Sequence, residues 1–79
     1  MKSQRLPQMG ALLAFEAAAE QHSFSKAANK LHITPAAISQ QIRLLERHLG
    51  IALFKRSKKG VELTPAGQNY LTFIDDALE

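Results

Sequence analysis

The sequence predicts a mainly α-helical domain of the winged helix-turn-helix type, with its elements in the order α-α-α-β-β-α. Two features predict it. A cap-then-proline pair starts a helix at residue 34 and again at residue 64, and a lysine-rich loop ending in glycine separates two short strand-like runs. The 79 residues suffice for one domain, near the size at which a single core is only marginally stable.

The first helix is predicted to begin at Pro7, because proline lacks an N–H and the first helical turn needs none there. Leu12, Phe15 and Ala19 recur at i, i+3 and i+7, so they share one face. That face is expected to pack on the rest of the domain, and the helix is expected to end near Gln21.

The second helix has two candidate N-caps, Ser25 or Ser23, since either hydroxyl could accept a backbone N–H of the first turn. Its buried side is expected to contain Ala27, Ala28 and Leu31. The alanines are small enough to let two helices approach closely.

The third helix is predicted over residues 34–49, after a turn at residues 32–33. Thr34 is a strong N-cap candidate, and the fixed φ of Pro35 suits the first helical position. Gly50 is predicted to end the helix in a left-handed conformation. The apolar stripe at i, i+4, i+7 and i+11 consists of Ile38, Ile42, Leu45 and Leu49. The residues that fall largely off this stripe and face outward are Ser39, Gln40, Arg43 and Arg47.

Two strand-like runs at residues 53–56 and 61–64 are predicted to form a hairpin, the wing, which we define as residues 53–64. A fourth helix is expected from Pro65 and is still helical in pattern at Glu79. Its apolar positions are Tyr70, Leu71, Ile74 and Leu78. Because no cap or stop signal follows, we expect the chain to be part of a longer protein.

Charge is distributed unevenly, although the net charge is only +3. Residues 26–60 contain eight lysines and arginines against one glutamate, a net +7, while the remainder carries −4. Such a segment is typical of a surface that binds a polyanion, and the alternative is an ordinary solvated surface.

The absence of cysteine excludes disulfides, and no apolar run approaches the ~20 residues of a membrane span. We therefore expect a soluble cytoplasmic protein.

The start of the third helix is predicted to enter the major groove of double-stranded DNA. Serine and glutamine can hydrogen-bond base edges, and alanine and proline can pack on a thymine methyl group. The candidate DNA-binding residues on this helix are Thr34, Pro35, Ala36, Ser39, Gln40 and Arg43. The alternative is that Thr34 only caps the helix and that Ser39 and Gln40 are ordinary solvated positions.

Further candidates lie on the wing and at the start of the second helix. Arg56 and Lys58 suit neutralisation of backbone phosphates, and an arginine near a wing can enter a narrow minor groove. Ser23, Ser25 and Lys26 could hold a phosphate. The alternative is that Lys58 only keeps the protein soluble. For Ser25 the alternative is that its hydroxyl only caps the helix.

Metal binding and catalysis are not expected. His22, His32 and His48 lack the spacing of a compact ligand set, and no Gly-rich phosphate loop or nucleophile motif is present. We predict no metal and no enzymatic activity. A protein-interaction module and, less favoured by the motifs, a small hydrolase or metal protein are the rival hypotheses.

The ordered motifs resemble the LysR-type bacterial transcriptional regulators along almost the whole chain. The ordered set is highly specific, and it includes Ser23-Phe24, Ala27-Ala28, Ile38-Ser39, Leu45-Glu46, Leu49-Gly50, Leu53-Phe54 and Leu63-Thr64-Pro65-Ala66-Gly67. Residues 5–28 and 34–42 are similar to the branch that contains the glycine-cleavage activator and the β-lactamase regulator.

This resemblance implies that residues 1–64 form the DNA-binding domain and that residues 65–79 begin a linker helix, which pairs with a partner's to make a homodimer. It implies binding to interrupted palindromes, often as tetramers, and contact of the full-length protein with RNA polymerase. A small-molecule co-inducer would bind a separate effector domain, so no cofactor is expected here. Many members have Gln-Pro in place of Pro35-Ala36 and Arg in place of Gln40, so we expect a different half-site or more readout of DNA shape.

Overall fold

The computed structural model describes residues 9–78, and its elements follow the predicted order α-α-α-β-β-α. They are α1 (Met9–Gln21), α2 (Phe24–Leu31), α3 (Pro35–Leu49), β1 (Phe54–Ser57), β2 (Gly60–Leu63) and α4 (Pro65–Leu78). The winged helix-turn-helix prediction is thereby confirmed. The predicted helix start at Pro7 and the terminal Glu79 lie outside the described residues.

Short polar side chains fix where α2 and α3 begin. The Lys26 N–H donates to Ser23 Oγ at 3.1 Å, and the Ala37 N–H donates to Thr34 Oγ1 at 3.0 Å. Both hydroxyls therefore satisfy a first-turn donor that has no partner within the helix. Ser23 is the N-cap of α2, so the first-named candidate, Ser25, was wrong and the alternative was right: Ser25 lies inside the first turn.

Three helices end in residues with left-handed backbone conformation. Gly50 follows α3 at φ 73°, as predicted, and its N–H donates to Glu46 O at 2.7 Å. Histidines occupy the equivalent places after α1 and α2, with φ 55° at His22 and 61° at His32. The left-handed backbone at these residues turns the chain sharply, and glycine usually fills such positions.

The hairpin is shifted by one residue from the predicted strand bounds. Phe54 pairs with Leu63 and Ser57 with Gly60, which leaves a two-residue loop at residues 58–59. Thr64 is excluded from β2 because its hydroxyl starts α4 instead: Thr64 Oγ1 accepts the Gly67 N–H at 2.9 Å and donates to Ala52 O at 2.6 Å. One hydroxyl therefore joins the start of α4 to the segment that precedes β1.

Alanines of α1 and α2 make up much of the core. The predicted positions Phe15 and Ala19 are buried, but Leu12 is only half-buried. The buried surface of α1 is wider than predicted, and it also includes Ala11, Ala14, Ala17 and Ala18. The other buried apolar residues are Ala27, Ala28, Ile38, Ile42, Leu45, Leu53, Val61 and Ile74.

Phe15 connects the helical core to the rest of the domain. Its ring centroid lies 5.4 Å from that of Phe54 on β1 and 5.5 Å from that of Tyr70 on α4. Phe24 on α2 packs edge-on against the same Phe54 ring, with centroids 5.6 Å apart. Tilted and edge-on arrangements of this kind are favourable for aromatic rings. Within residues 9–78, no helix is long and apolar enough to cross a membrane.

Replacement of Gly67 by alanine should destabilise the domain. A Cβ at this position would collide with the carbonyl oxygen of Leu53 and lie 2.9 Å from Leu63 Cδ2. We expect Gly67→Ala to lower the free energy of unfolding by about 1–3 kcal/mol. Gly10→Ala is the matched control, since a Cβ there meets no atom within 4 Å. It should leave stability unchanged or raise it by up to ~1 kcal/mol. Urea denaturation followed by circular dichroism measures both, and equal stability of the two variants would contradict the proposed collision.

A carboxyl pair between α1 and α4 should make stability depend on pH. Partial burial, a hydrogen bond to Asp75 and the charges of Asp75 and Glu20 raise the pKa of Glu16 above its ordinary 4.5, while Lys30 opposes this shift. The folded state therefore holds the Glu16 proton more tightly than the unfolded state. The protonated Glu16 contributes most to stability below pH 4.5, and this contribution is lost as the pH rises through the raised pKa of Glu16.

Glu16→Gln cannot ionise, so it should melt about 1–3 °C above the parent at neutral pH and show little difference at pH 4. Thermal melts between pH 4 and 8 measure this change. Glu62→Gln, an exposed change on β2, serves as the control. A gain from Glu16→Gln that is the same at every pH would show that ionisation is not its cause.

Candidate nucleic-acid interface

The first turns of α3 protrude from the domain. Thr34, Pro35, Ala36 and Gln40 are exposed, and Ser39 is half-buried. The opposite face of the helix is anchored in the core by the fully buried Ile38. Capping uses one acceptor site of the Thr34 hydroxyl, which leaves its own proton and a second lone pair for other partners. The amino-terminal end of α3 is thus available for contact with a ligand as large as a duplex.

Arg43 lies one turn further along α3 and is exposed. Its Nη1 donates to Ser39 Oγ at 3.2 Å, so the guanidinium extends back along the helix towards the protruding end. A serine hydroxyl that accepts one hydrogen bond can still donate its own proton. Ser39 and Arg43 therefore present a joint polar surface rather than two independent groups.

A groove of about 210 Å³ separates α3 from the wing. Its lining is partly apolar and partly polar, and consists of Phe24, Ser39, Ile42, Arg43, Glu46, Phe54, Lys55, Arg56 and Val61. It brings together three predicted site residues from two elements, Ser39, Arg43 and Arg56. With Lys55 the groove has three cationic side chains on its lining, a concentration of positive charge that suits backbone phosphate.

The remaining predicted site residues lie outside this groove. Lys58 is exposed in the hairpin turn, and Ser25 and Lys26 are exposed at the start of α2. The Ser23 hydroxyl is occupied as the N-cap of that helix. The predicted interface therefore consists of the α3 amino-terminal end, the groove, the hairpin turn and the α2 amino-terminal end.

Glu46 and Phe24 line the groove, although the sequence did not predict them as site residues. Glu46 Oε2 accepts the Leu53 N–H at 2.8 Å and the Phe54 N–H at 3.3 Å, so its carboxylate binds the beginning of the wing. Phe24 lines the groove and packs against Phe54, another of its lining residues. The sequence contained an indication that Glu46 has a particular role, because it is the single acidic residue of the basic segment 26–60.

Other charged groups have different partners. Lys30 Nζ binds Glu20 Oε1 at 2.6 Å, which ties α2 to α1 at the surface. In the part of the chain that the structure describes, no three histidine or carboxylate side chains come together as they would around a metal ion.

The sequence model of the bacterial regulatory helix-turn-helix proteins of the lysR family matches residues 9–68. The HTH-type transcriptional regulator TrpI of Pseudomonas aeruginosa is 51% identical over 77 residues, 98% of this chain and 26% of its own length. The glycine cleavage system transcriptional activator of Escherichia coli is 48% identical over 73 residues, 92% of this chain and 23% of its own length. The carbapenem-hydrolyzing beta-lactamase transcriptional activator of Enterobacter cloacae is 49% identical over 75 residues, 95% of this chain and 25% of its own length.

Solved structures with the same fold include protein–DNA complexes. The CbnR_DBD-DNA complex superimposes with a TM-score of 0.85 at 37% identity, covering 90% of this chain and 82% of that one. The BenM_DBD/benA site 1 DNA complex does so with a TM-score of 0.85 at 38% identity, covering 90% and 80%.

The chain spans about a quarter of the length of the regulators it matches. The family model covers α1 to the first turn of α4, and therefore every residue of the candidate interface described above. The resemblance inferred from the motifs is confirmed, including its similarity to the glycine-cleavage and β-lactamase regulators. The chain belongs to the lysR family of bacterial regulatory helix-turn-helix proteins.

Proposed function

We propose that this chain is the sequence-specific DNA-binding domain of a bacterial transcriptional regulator. The protruding end of α3 would enter the major groove of double-stranded DNA, and the wing would lie on the adjacent backbone or in the minor groove. The observation that carries the proposal is the position of this protruding end beside a cationic groove. The fold shared with two protein–DNA complexes supports it.

Individual roles follow from chemistry and exposure. Gln40 and Ser39 would hydrogen-bond base edges, while Pro35 and Ala36 would pack on thymine methyl groups. The residues proposed to hold backbone phosphates are Thr34, Arg43, Arg56, Lys58, Ser23, Ser25 and Lys26. Phosphate contacts position the domain without reading sequence, whereas base contacts specify the site.

α4 would form the homodimer. Phe73 is 64% exposed on this helix and stacks on Tyr70 with ring centroids 6.0 Å apart, which leaves an aromatic surface for a partner helix. Two-fold pairing would set the half-site separation of an interrupted palindrome. We assign co-inducer binding, tetramer formation and contact with RNA polymerase to the longer protein. A non-enzymatic regulator of this kind acts on DNA in the bacterial cytoplasm.

Selection of bound duplexes from a random-sequence library tests the proposal directly. A two-fold symmetric motif is the expected result. Titration of the chain with duplex DNA at about 50 and 200 mM salt should show a steep loss of affinity, because phosphate contacts release counterions. No enrichment, together with weak binding that is independent of salt, would favour the rival protein-interaction module.

Gln40→Ala should relax base preference at one position of the selected motif. Loss of a good bidentate contact costs about 1–3 kcal/mol of discrimination against the wrong base. Competition between the selected duplex and its single-base variants measures the effect. Gln68→Ala is the matched control, because Gln68 is exposed on α4. Equal discrimination by parent and Gln40→Ala would remove Gln40 from the reading surface.

Arg56→Ala should weaken binding to all duplexes by a similar factor and lower the salt slope by about one unit, as expected for a phosphate contact. Lys30→Ala is the matched control, since it also removes one positive charge but from a lysine paired with Glu20. Titrations at several salt concentrations give the slope. A slope that falls equally in both variants would indicate an effect of net charge alone.

A further inference from the structure

Glu46 binds four backbone N–H groups of the segment that leads from α3 to β1. Its carbonyl oxygen accepts from Gly50 at 2.7 Å and from Ile51 at 3.3 Å. Its carboxylate Oε2 accepts from Leu53 at 2.8 Å and from Phe54 at 3.3 Å. One residue in the last turn of the proposed recognition helix therefore fixes both ends of the connection to the wing.

The rest of the wing is anchored at different places. The Val61 N–H of β2 donates to His22 O at 3.3 Å, in the turn between α1 and α2, and the Thr64 N–H donates to Leu53 O at 3.0 Å. These contacts hold β2 and the end of the wing. The carboxylate of Glu46 provides a direct link from α3 to the start of β1, the strand that carries Arg56.

The Glu46 carboxylate places a negative charge on a surface that is proposed to bind phosphate. Glu46 lines the same groove as Arg43 and Arg56, where a bound phosphate would be repelled by a negative charge. Two N–H donors on one carboxylate oxygen offset part of that charge, and hydrogen bonds to an ionised acceptor are stronger than neutral ones. The geometry therefore directs the Glu46 charge towards the protein backbone.

We propose that Glu46 is a positioning residue for DNA binding, whose carboxylate holds β1 in the orientation to α3 at which Arg56 reaches the duplex while α3 occupies the major groove. This inference rests on the proposed function. It adds that one side chain couples the DNA contacts of α3 to those of the wing. The contribution of Arg56 to DNA affinity then depends on the length of the Glu46 side chain.

Two conservative variants separate the effect of the length of the Glu46 side chain from the effect of its charge. Glu46→Asp keeps the charge but is shorter by one methylene, so its oxygen falls short of Leu53 and Phe54. Glu46→Gln loses the charge but keeps an acceptor oxygen at the same distance along the side chain. We expect Glu46→Asp to weaken binding to a fluorescent pool of random-sequence duplexes by roughly tenfold and to lower the salt slope by about one unit. Glu46→Gln should stay within about threefold of the parent.

A double-mutant cycle then tests the link to the wing. Once Arg56 has been removed, Glu46→Asp should weaken binding by no more than about twofold. Lys26 lies on α2, outside the segment whose N–H groups Glu46 binds, so it provides the control: the effects of Lys26→Ala and Glu46→Asp should multiply. Circular dichroism melts of every variant show that the domain remains folded at the titration temperature.

The outcomes distinguish this inference from the function on which it rests. A parent chain without salt-dependent duplex binding would overturn the DNA-binding proposal itself. A parent that binds normally, with effects of Glu46→Asp and Arg56→Ala that multiply, would overturn the positioning role alone. Tighter binding by Glu46→Gln with unchanged binding by Glu46→Asp would also overturn it, since repulsion of phosphate would then be the role of the carboxylate.

Discussion

The packing of α1, α2 and α3 depends on the small size of the side chains at their contacts. The alanines concerned are at most 1% exposed: Ala14, Ala18, Ala27 and Ala28. Methyl groups at these positions let the helix backbones come close, and a dense core then holds α3 in one orientation. Because Ile38 is fully buried on the inner face of α3, its neighbours in the first turns are directed outward. The exposed interface is thus a consequence of alanine packing on the other side of the helix.

Aromatic contacts extend this core to the two elements that distinguish the fold from three helices alone. Phe54 attaches β1 to both α1 and α2, and Tyr70 attaches α4 to Phe15. A small domain has little apolar surface to bury, so large rings at these junctions contribute much of the area. The wing and α4 therefore share one anchor on α1. Basic groups gather between α3 and the wing, whereas the carboxyl pair of Glu16 and Asp75 lies between α1 and α4.

The candidate site could be predicted only in part. The basic segment and the outward face of α3 indicated the right surface, since both follow from residue type and helical periodicity. The juxtaposition of Arg43 with Arg56 could not be predicted, because it depends on how the chain turns after Gly50. Glu46 was overlooked for the same reason: its carboxylate binds N–H groups seven and eight residues away, beyond the range of helical spacing.

The sequence by itself determined the element order and the ends of α3, because a threonine cap, a proline at the first position and a left-handed glycine act within one turn of where they stand. It named Ser25 as the α2 cap with Ser23 only as the alternative, and it misplaced each strand by one residue. Tertiary structure decided these points. The sequence placed Thr64 both in the second strand and at the start of α4, and the structure uses it as the cap, held by a further bond to Ala52 O. The wide buried surface of α1 depends on what packs around it. Local signals fix local conformation, whereas register and burial are set by contacts between residues far apart in the chain.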